Sequence, residues 1–191
     1  RFEGALTPAI RKALDEAHIS GSSNRSADDF YRRGRMGNFV SCWTIGPHDS
    51  MALWQLYGGL ETSLAITTTV KKLIQVAHSW NENATICRVQ YIDHVKNPDM
   101  VVGDYRDMLR YKHDSYAYEK ELRLIVSRES ASLDENPQFL RLPLTGIDDL
   151  VRSVVVAPEA EDWFFEAVCD LARKYGLEAP VRRSKLAYMQ T

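Results

Sequence analysis

The sequence predicts an α+β fold, a mixed sheet of about seven strands with interspersed helices. Three observations lead there. Runs rich in β-branched and aromatic residues recur along the chain, as in Asn38 to Thr44 (NFVSCWT) and Arg152 to Ala157 (RSVVVA). Segments with apolar residues at helical spacing fall between these runs rather than in a separate block. The C-terminal quarter then reads as a β-α-β unit.

Taken in order, Thr7-Pro8 is a capping residue followed by proline at the first helical position, and it starts a short amphipathic helix, Pro8 to Ala17. Ser20 to Ser26 (SGSSNRS) reads as a flexible link, placed near residues 20–28. Asp28 to Arg35 is a helical candidate carrying Arg32, Arg33 and Arg35 beside Phe30 and Tyr31, either a solvated cationic face or an anion-binding patch. Asn38 to Thr44 is a buried strand. Asp49 or Ser50 caps a helix through Tyr57, which Gly58-Gly59 stops. Thr62 to Thr68 is β-rich and expected to pair near the earlier strand, Val70 to Trp80 is helical, and Ala84 to Ile92 is a further strand. Asp93 to Gly103 is a loop, and Asp104 to Arg110 is ambiguous between helix and strand.

Tyr111 to Arg128 then reads as one long central strand. A polar loop, Glu129 to Pro137, and a strand at Gln138 to Leu142 would close a hairpin with it. After the strand Arg152 to Ala157, Glu159, Glu161 and Asp162 open a helix with apolar positions Trp163, Phe164, Ala167, Val168 and Leu171. Trp163 and Phe164 are expected to anchor it in the core. Gly176 ends that helix, and Val181 to Leu186 returns as a strand.

The 191 residues bound a single domain, residues 1–191. The chain opens at Arg1 rather than at methionine and is expected to be incomplete at its N-terminal side. It is 45% hydrophobic and 26% charged, ordinary for a chain with a sizeable core. A net charge of −2 and a pI near 6.2 provide no global field that would gather nucleic acid. No apolar run reaches the ~18 residues of a membrane span, and no signal peptide is visible. Cys42, Cys87 and Cys169 are scattered and odd in number, so reduced thiols and a cytoplasmic location are expected.

The central stretch carries the candidate chemistry. Extended as a strand, it places Glu119, Glu121 and Arg123 on one face and Leu122, Leu124 and Val126 on the other. Two carboxylates and a guanidinium then lie within about 14 Å, at roughly 3.3 Å of rise per residue. Two acids on one face repel unless a cation sits opposite or one keeps its proton. The alternatives are an exposed face on which Arg123, Lys112 and Lys120 balance charge, or a carboxylate site on a rigid mount.

His18, His48, His78, His94 and His113 are dispersed, so no metal site is expected, although His113 is near enough in sequence to approach the acids. Trp43, Trp54 and Tyr57 are either core residues or the wall of a pocket in which a flat ring stacks. Ser41 and Thr44 have no base beside them in sequence, which leaves serine or cysteine nucleophilic chemistry without local support.

Several pieces, in order, resemble a bacterial family known as domain-of-unknown-function family 2971 (DUF2971). They are R-F-E-G (Arg1 to Gly4), F-V-S-C-W-T (Phe39 to Thr44), M-A-L-W-Q-L-Y-G (Met51 to Gly58), S-L-A-I (Ser63 to Ile66) and V-Q-Y (Val89 to Tyr91). The strongest is Y-K-H…Y-A-Y-E-K-E-L-R (Tyr111 to Arg123), and R-S-V-V-V-A-P with the last helix completes the set. Members usually begin with a tyrosine- and histidine-containing strand ahead of the segment at which this chain opens. The layout of an early aromatic strand, a Ser/Thr-bearing strand and a late E-x-E strand is similar to the ADP-ribosyltransferases. That similarity implies Glu121 as the catalytic acid and Glu119 as the group orienting the acceptor. It also implies that Ser41 and Thr44 support the glutamate or the nicotinamide ribose, with NAD as the substrate; Trp54 and Tyr57, of the aromatic set, are the candidates to wall the cofactor pocket.

Three functions from different classes follow. The first is an NAD-dependent ADP-ribosyltransferase or NAD glycohydrolase, an effector of toxin or anti-phage systems. The second is a non-catalytic binding or sensor module of the same fold. The third is a metal-dependent hydrolase using Glu119, Glu121 and Lys112 or His113. A small-molecule nucleotide is the expected partner, with no membrane and no nucleic acid, and the oligomeric state stays open.

Overall fold

The computed structural model describes residues 8–46, 49–93, 96, 105–128 and 139–189. The R-F-E-G opening, the Thr7 cap, most of the Asp93 to Gly103 loop and the Glu129 to Pro137 loop lie outside the described residues. In chain order, the first elements are α1 (Pro8–Ile19), α2 (Ala27–Gly37), β1 (Asn38–Thr44), α3 (Met51–Tyr57), β2 (Leu64–Thr67), α4 (Val70–Ser79) and β3 (Asn83–Arg88). Then come β4 (Gln90–Ile92), α5 (Tyr105–Met108), β5 (Tyr111–His113), a 3-10 turn (Asp114–Glu119) and β6 (Glu121–Ser127). The chain continues with a second 3-10 turn (Ile147–Asp149), β7 (Ser153–Val156), α6 (Asp162–Lys174), β8 (Val181–Arg183) and a third 3-10 turn (Lys185–Met189). The α+β class stands. The strands form three small sheets rather than the expected single sheet.

The chain divides into two compact units, Arg1–Ile45 with Asn81–Arg141, and Gly46–Trp80 with Leu142–Thr191. In the first, β6 is the centre of a three-stranded antiparallel sheet, order β1-β6-β3. Leu122, Leu124, Ile125 and Val126 are buried along it, and its backbone is paired along both edges, by β1 and by β3. With both edges taken, a hairpin partner from Gln138 to Leu142 has no place on β6; residues 139–142 carry no strand, and Gln138 lies outside the described residues. A short parallel pair, β4 with β5, forms a separate two-stranded sheet in this unit.

The link between α1 and α2 is a hydrogen-bonded turn rather than a loose segment. Ser23 N donates to Ala17 O at 2.9 Å, and Ala27 N donates to the Asp15 carboxylate at 2.9 Å. Ser26 caps α2 by accepting from Asp29 N. The helix ends at Gly37, where an added Cβ would meet the Arg128 carbonyl oxygen at 2.7 Å, so only glycine lets β1 leave the helix there.

In the second unit, β2 pairs antiparallel with β7, not near β1 as expected. Strand β7 also pairs in parallel with β8 across α6, giving the β-α-β unit read from the sequence. Its core gathers Trp54, Val151, Val154, Val155, Val156, Ala157 and Val168. Asp49 does not cap α3. Its carboxylate accepts from the Trp54 indole at 3.4 Å and from the fully buried Ser184 hydroxyl.

Helix α6 is rotated from the expected phase. Val168 is buried, with Phe164 and Phe165 partly buried against the core, while Trp163 is 58% exposed and its indole donates to Glu161 at 2.9 Å. Trp163 is therefore not a core anchor; the phenylalanines turned toward the sheet hold that place. Among the described residues no helix is long and apolar enough to cross a membrane.

Candidate functional site

The expected continuous strand from Tyr111 to Arg128 is broken, and the break builds the site. His113 closes β5 and accepts Ser115 N on its ring, which starts the 3-10 turn Asp114–Glu119. Asp-Ser after a short strand favours such local side-chain bonds over a ladder. Lys120 then takes a left-handed conformation, φ 47°, and its N–H closes the turn on Ala117 O. The chain re-enters extended backbone at Glu121. Glu119 is thus at the end of a turn and Glu121 at the start of β6, rather than side by side on one strand face.

The turn brings both acids onto one ammonium group. Lys112 Nζ donates to Glu119 and, at 2.5 Å, to Glu121. Arg123 Nε donates to the other Glu121 oxygen at 2.7 Å, and its Nη1 donates to Leu109 O at 2.6 Å. Glu119 and Glu121 are 4% and 6% exposed, which removes the alternative of an exposed, loosely balanced sheet face. Buried charges persist only with such compensation, since desolvating each ion costs several kcal/mol. Here two anions meet two cations. Tyr91, beside Lys112 in the β4–β5 register, accepts Glu121 N on its hydroxyl at 2.8 Å, and Lys112 sits 4.6 Å from the centre of the half-exposed Tyr116 ring.

The protonation states follow from these contacts. Burial pushes the Glu121 pKa up, but the hydrogen bond from Arg123 leads the contacts that outweigh it and bring the value down to about 2. Burial alone would release the Lys112 proton more easily, yet the hydrogen bonds to Glu119 and Glu121 win and raise its pKa. Glu121 and Lys112 are therefore both ionised across the whole neutral range.

Each candidate residue can now be placed. Thr44 is directly opposite Glu121 in the β1–β6 register and shares its face. Ser41 is opposite Leu124, on the other face, where its hydroxyl accepts from the Trp43 indole at 3.1 Å, so it does not support Glu121. Trp54 is packed in the core of the second unit and does not present a ring to a ligand, and Tyr57 belongs to that unit as well, 70% exposed. His113 turns to Ser115 and Asp114 instead of the carboxylates. The place between the two acids, where a bridging metal would be held, is taken by the Lys112 ammonium. Among the described residues no group of three or more His, Cys, Asp or Glu is arranged to hold a metal.

Sequence reasoning missed Tyr91 and Cys42, and gave Lys112 a part in charge balance or in metal-dependent hydrolysis rather than as the bridge between the two acids. Cys42 and Cys87 flank Arg123 on its two neighbouring strands, both as free thiols. Burial, reinforced by Glu121 and opposed by Arg123, raises the Cys42 pKa. Tyr91 had a signal in the V-Q-Y segment; Cys42 had none beyond its place on a strand.

No protein-family model, curated protein or solved structure matches this chain.

Proposed function

We propose that the first unit acts on the N-glycosidic bond of NAD, as an ADP-ribosyltransferase or NAD glycohydrolase, with Glu121 as the carboxylate facing the reacting sugar. In that reaction the bond between C1′ and the nicotinamide nitrogen breaks and the electron pair leaves with nicotinamide. Water or an acceptor nucleophile then bonds to C1′ and releases its proton to the solvent. A fixed negative charge beside C1′ stabilises the oxocarbenium-like centre, a contribution worth several kcal/mol in a water-poor site.

The observation that carries the proposal is the convergence of both E-x-E carboxylates on Lys112, with Arg123 keeping Glu121 ionised. Glu119, held by the same ammonium, has in this proposal the role of orienting the attacking group. Thr44 shares the face of Glu121 and is the remaining candidate for a contact to the ribose. A nucleotide's phosphates offer Lys112 an alternative partner, which would free a Glu121 oxygen for the sugar. The substrate class itself comes from the resemblance to DUF2971 and to the ADP-ribosyltransferase layout.

A second function, a nucleotide-binding or sensor module without turnover, is favoured by one specific feature. The two buried acids and the two cations already compensate one another.

Incubation with NAD and detection of free nicotinamide separates the two. Catalysis predicts time-dependent nicotinamide release that falls on the order of 100-fold in Glu121→Asp, about 2.7 kcal/mol of barrier, because one methylene withdraws the charge from the sugar. Glu119→Gln should spare NAD cleavage more than transfer to an acceptor. Circular dichroism verifies that each variant is folded. Saturable NAD binding with no nicotinamide release would establish the second function, and release unchanged in folded Glu121→Asp would remove Glu121 from the chemistry.

A further inference from the structure

In the second unit, β2 lies at the edge of its sheet, whose order is β2-β7-β8. Its pairing with β7 fixes which backbone groups stay outside. Ala157 N donates to Ser63 O at 3.0 Å and Arg152 N to Thr67 O at 2.8 Å, so Ser63, Ala65 and Thr67 turn toward β7. Backbone groups alternate sides along an antiparallel ladder, which leaves the N–H and C=O of Leu64 and Ile66 pointing away from the sheet. Among the described residues no strand takes them up.

An open edge is ordinarily guarded by lysine, proline or an inward-pointing charge. From Thr62 to Thr69 the sequence is TSLAITTT, with none of these. Leu64 and Ile66 instead share a sheet face and are 46% and 47% exposed. The nearest charges on either side are Glu61 and Lys71, both exposed, and among the described residues neither has an ion-pair partner.

We propose that β2 pairs with β2 of a second copy of this chain, antiparallel, about a two-fold axis at Ala65. The edge is complementary to itself, as a two-fold interface requires. In this register Leu64 is opposite the partner's Ile66, and Ile66 is opposite the partner's Leu64. The outward amides and carbonyls of each copy then bond to those of the other, and the apolar side chains meet in cross-strand pairs on one face. Ala65 meets its own counterpart at the closest approach of the ladder, about 4.5 Å between Cα atoms, where a small side chain fits. Charge selects the same partner. Antiparallel pairing sets the Glu61 end of one copy beside the first turn of α4 of the other, which carries Lys71. The two three-stranded sheets become one. A strand of four residues makes a small interface, so the dimer is weak and concentration-dependent. The pairing involves the second unit and does not depend on the chemistry proposed for Glu121.

Sedimentation velocity of the whole chain at low salt, from about 10 µM to about 1 mM, tests it together with amide hydrogen exchange read by NMR. A monomer–dimer equilibrium is expected. The Leu64 and Ile66 amides should be protected only at high concentration and that of Ala65, bonded within the sheet, at every concentration; this needs no variant to fold. Ile66→Lys should raise the dimer Kd at least about tenfold, because the cross-strand apolar pairs are lost and a charge enters the edge. Glu61→Lys and Lys71→Glu should each raise it roughly fivefold, and the two together should restore it. Circular dichroism verifies that each variant is folded. A monomer throughout the range, with both outward amides exchanging freely, would overturn the pairing and leave the edge to a different protein. Protection of both amides at every dilution would show the edge covered by the chain itself and overturn it equally. So would a dimer indifferent to folded Ile66→Lys, or one that the double charge exchange fails to restore.

Discussion

Replacing Lys112 by methionine keeps the length of the side chain and removes the one charge shared by both acids. The Lys112 ammonium donates to Glu119 and Glu121, which are nearly inaccessible to water, while 23% of the Lys112 side chain is exposed. Without it, the cluster holds two carboxylates against Arg123 alone, an excess of one buried negative charge. Breaking a buried pair by removing one partner costs about 3–5 kcal/mol, and the partial exposure of Lys112 places this case near 3. For a chain of this size that corresponds to a fall in Tm of about 6–12 °C. The control is Arg173→Met in α6, whose ion pair with Asp170 is more than 70% exposed on both sides and should cost no more than about 1 kcal/mol. Adding Glu119→Gln to Lys112→Met restores the balance of charge and should recover at least about 1 kcal/mol. Thermal and urea unfolding of the three proteins measure this. A Lys112→Met protein within about 0.5 kcal/mol of the parent would refute the reasoning that the ammonium compensates buried acids.

Other consequences are as direct. Because the folded Glu121 pKa lies near 2, below its ordinary 4.5, its stabilisation is complete above 4.5 and is lost as pH falls from there toward 2. Urea midpoints across that window should drop, and less steeply in Glu121→Gln. The raised pKa of Lys112 works in the opposite sense: its contribution is full below 10.5 and is lost as pH rises above that value. In α6, Trp163→Ala should change stability by less than about 1 kcal/mol, whereas Val168→Ala should cost roughly 2, read by thermal melting. Asp49→Ala should cost about 1–3 kcal/mol in the same assay, because it withdraws the acceptor of the buried Ser184 hydroxyl.

The sequence located the acids but not the geometry that joins them. Glu119, Glu121 and Arg123 stood out because alternation puts all three on one strand face, opposite the apolar Leu122, Leu124 and Val126. The alternation rule then extended that strand through Asp114 and Ser115, whose side-chain chemistry favours a turn. Lys112 precedes Glu121 by nine residues, a separation at which no strand or helix period makes two side chains meet. Only the left-handed turn at Lys120 does so, and a lysine at positive φ has no local signature. The C-terminal β-α-β unit was legible because its elements are consecutive. Strand β2 was misplaced because its partner, β7, lies more than 80 residues further along. The phase of α6 failed for another reason: Trp163, Phe164, Ala167, Val168 and Leu171 cover more of the helix than the sheet can bury, and hydrophobicity alone does not choose which half turns inward.

The claim at the centre of this account is that Glu121 is a buried carboxylate kept ionised by Arg123 and Lys112. Carbon-13 labelling of the glutamate carboxyl groups, with Glu121→Gln to identify the resonance, measures its titration directly by NMR. A midpoint near 2, well below the 4.5 of an unperturbed glutamate, is the expected result. A Glu121 carboxyl that titrates at 4.5 or above would contradict the ion-pair cluster and the proposed role of its charge.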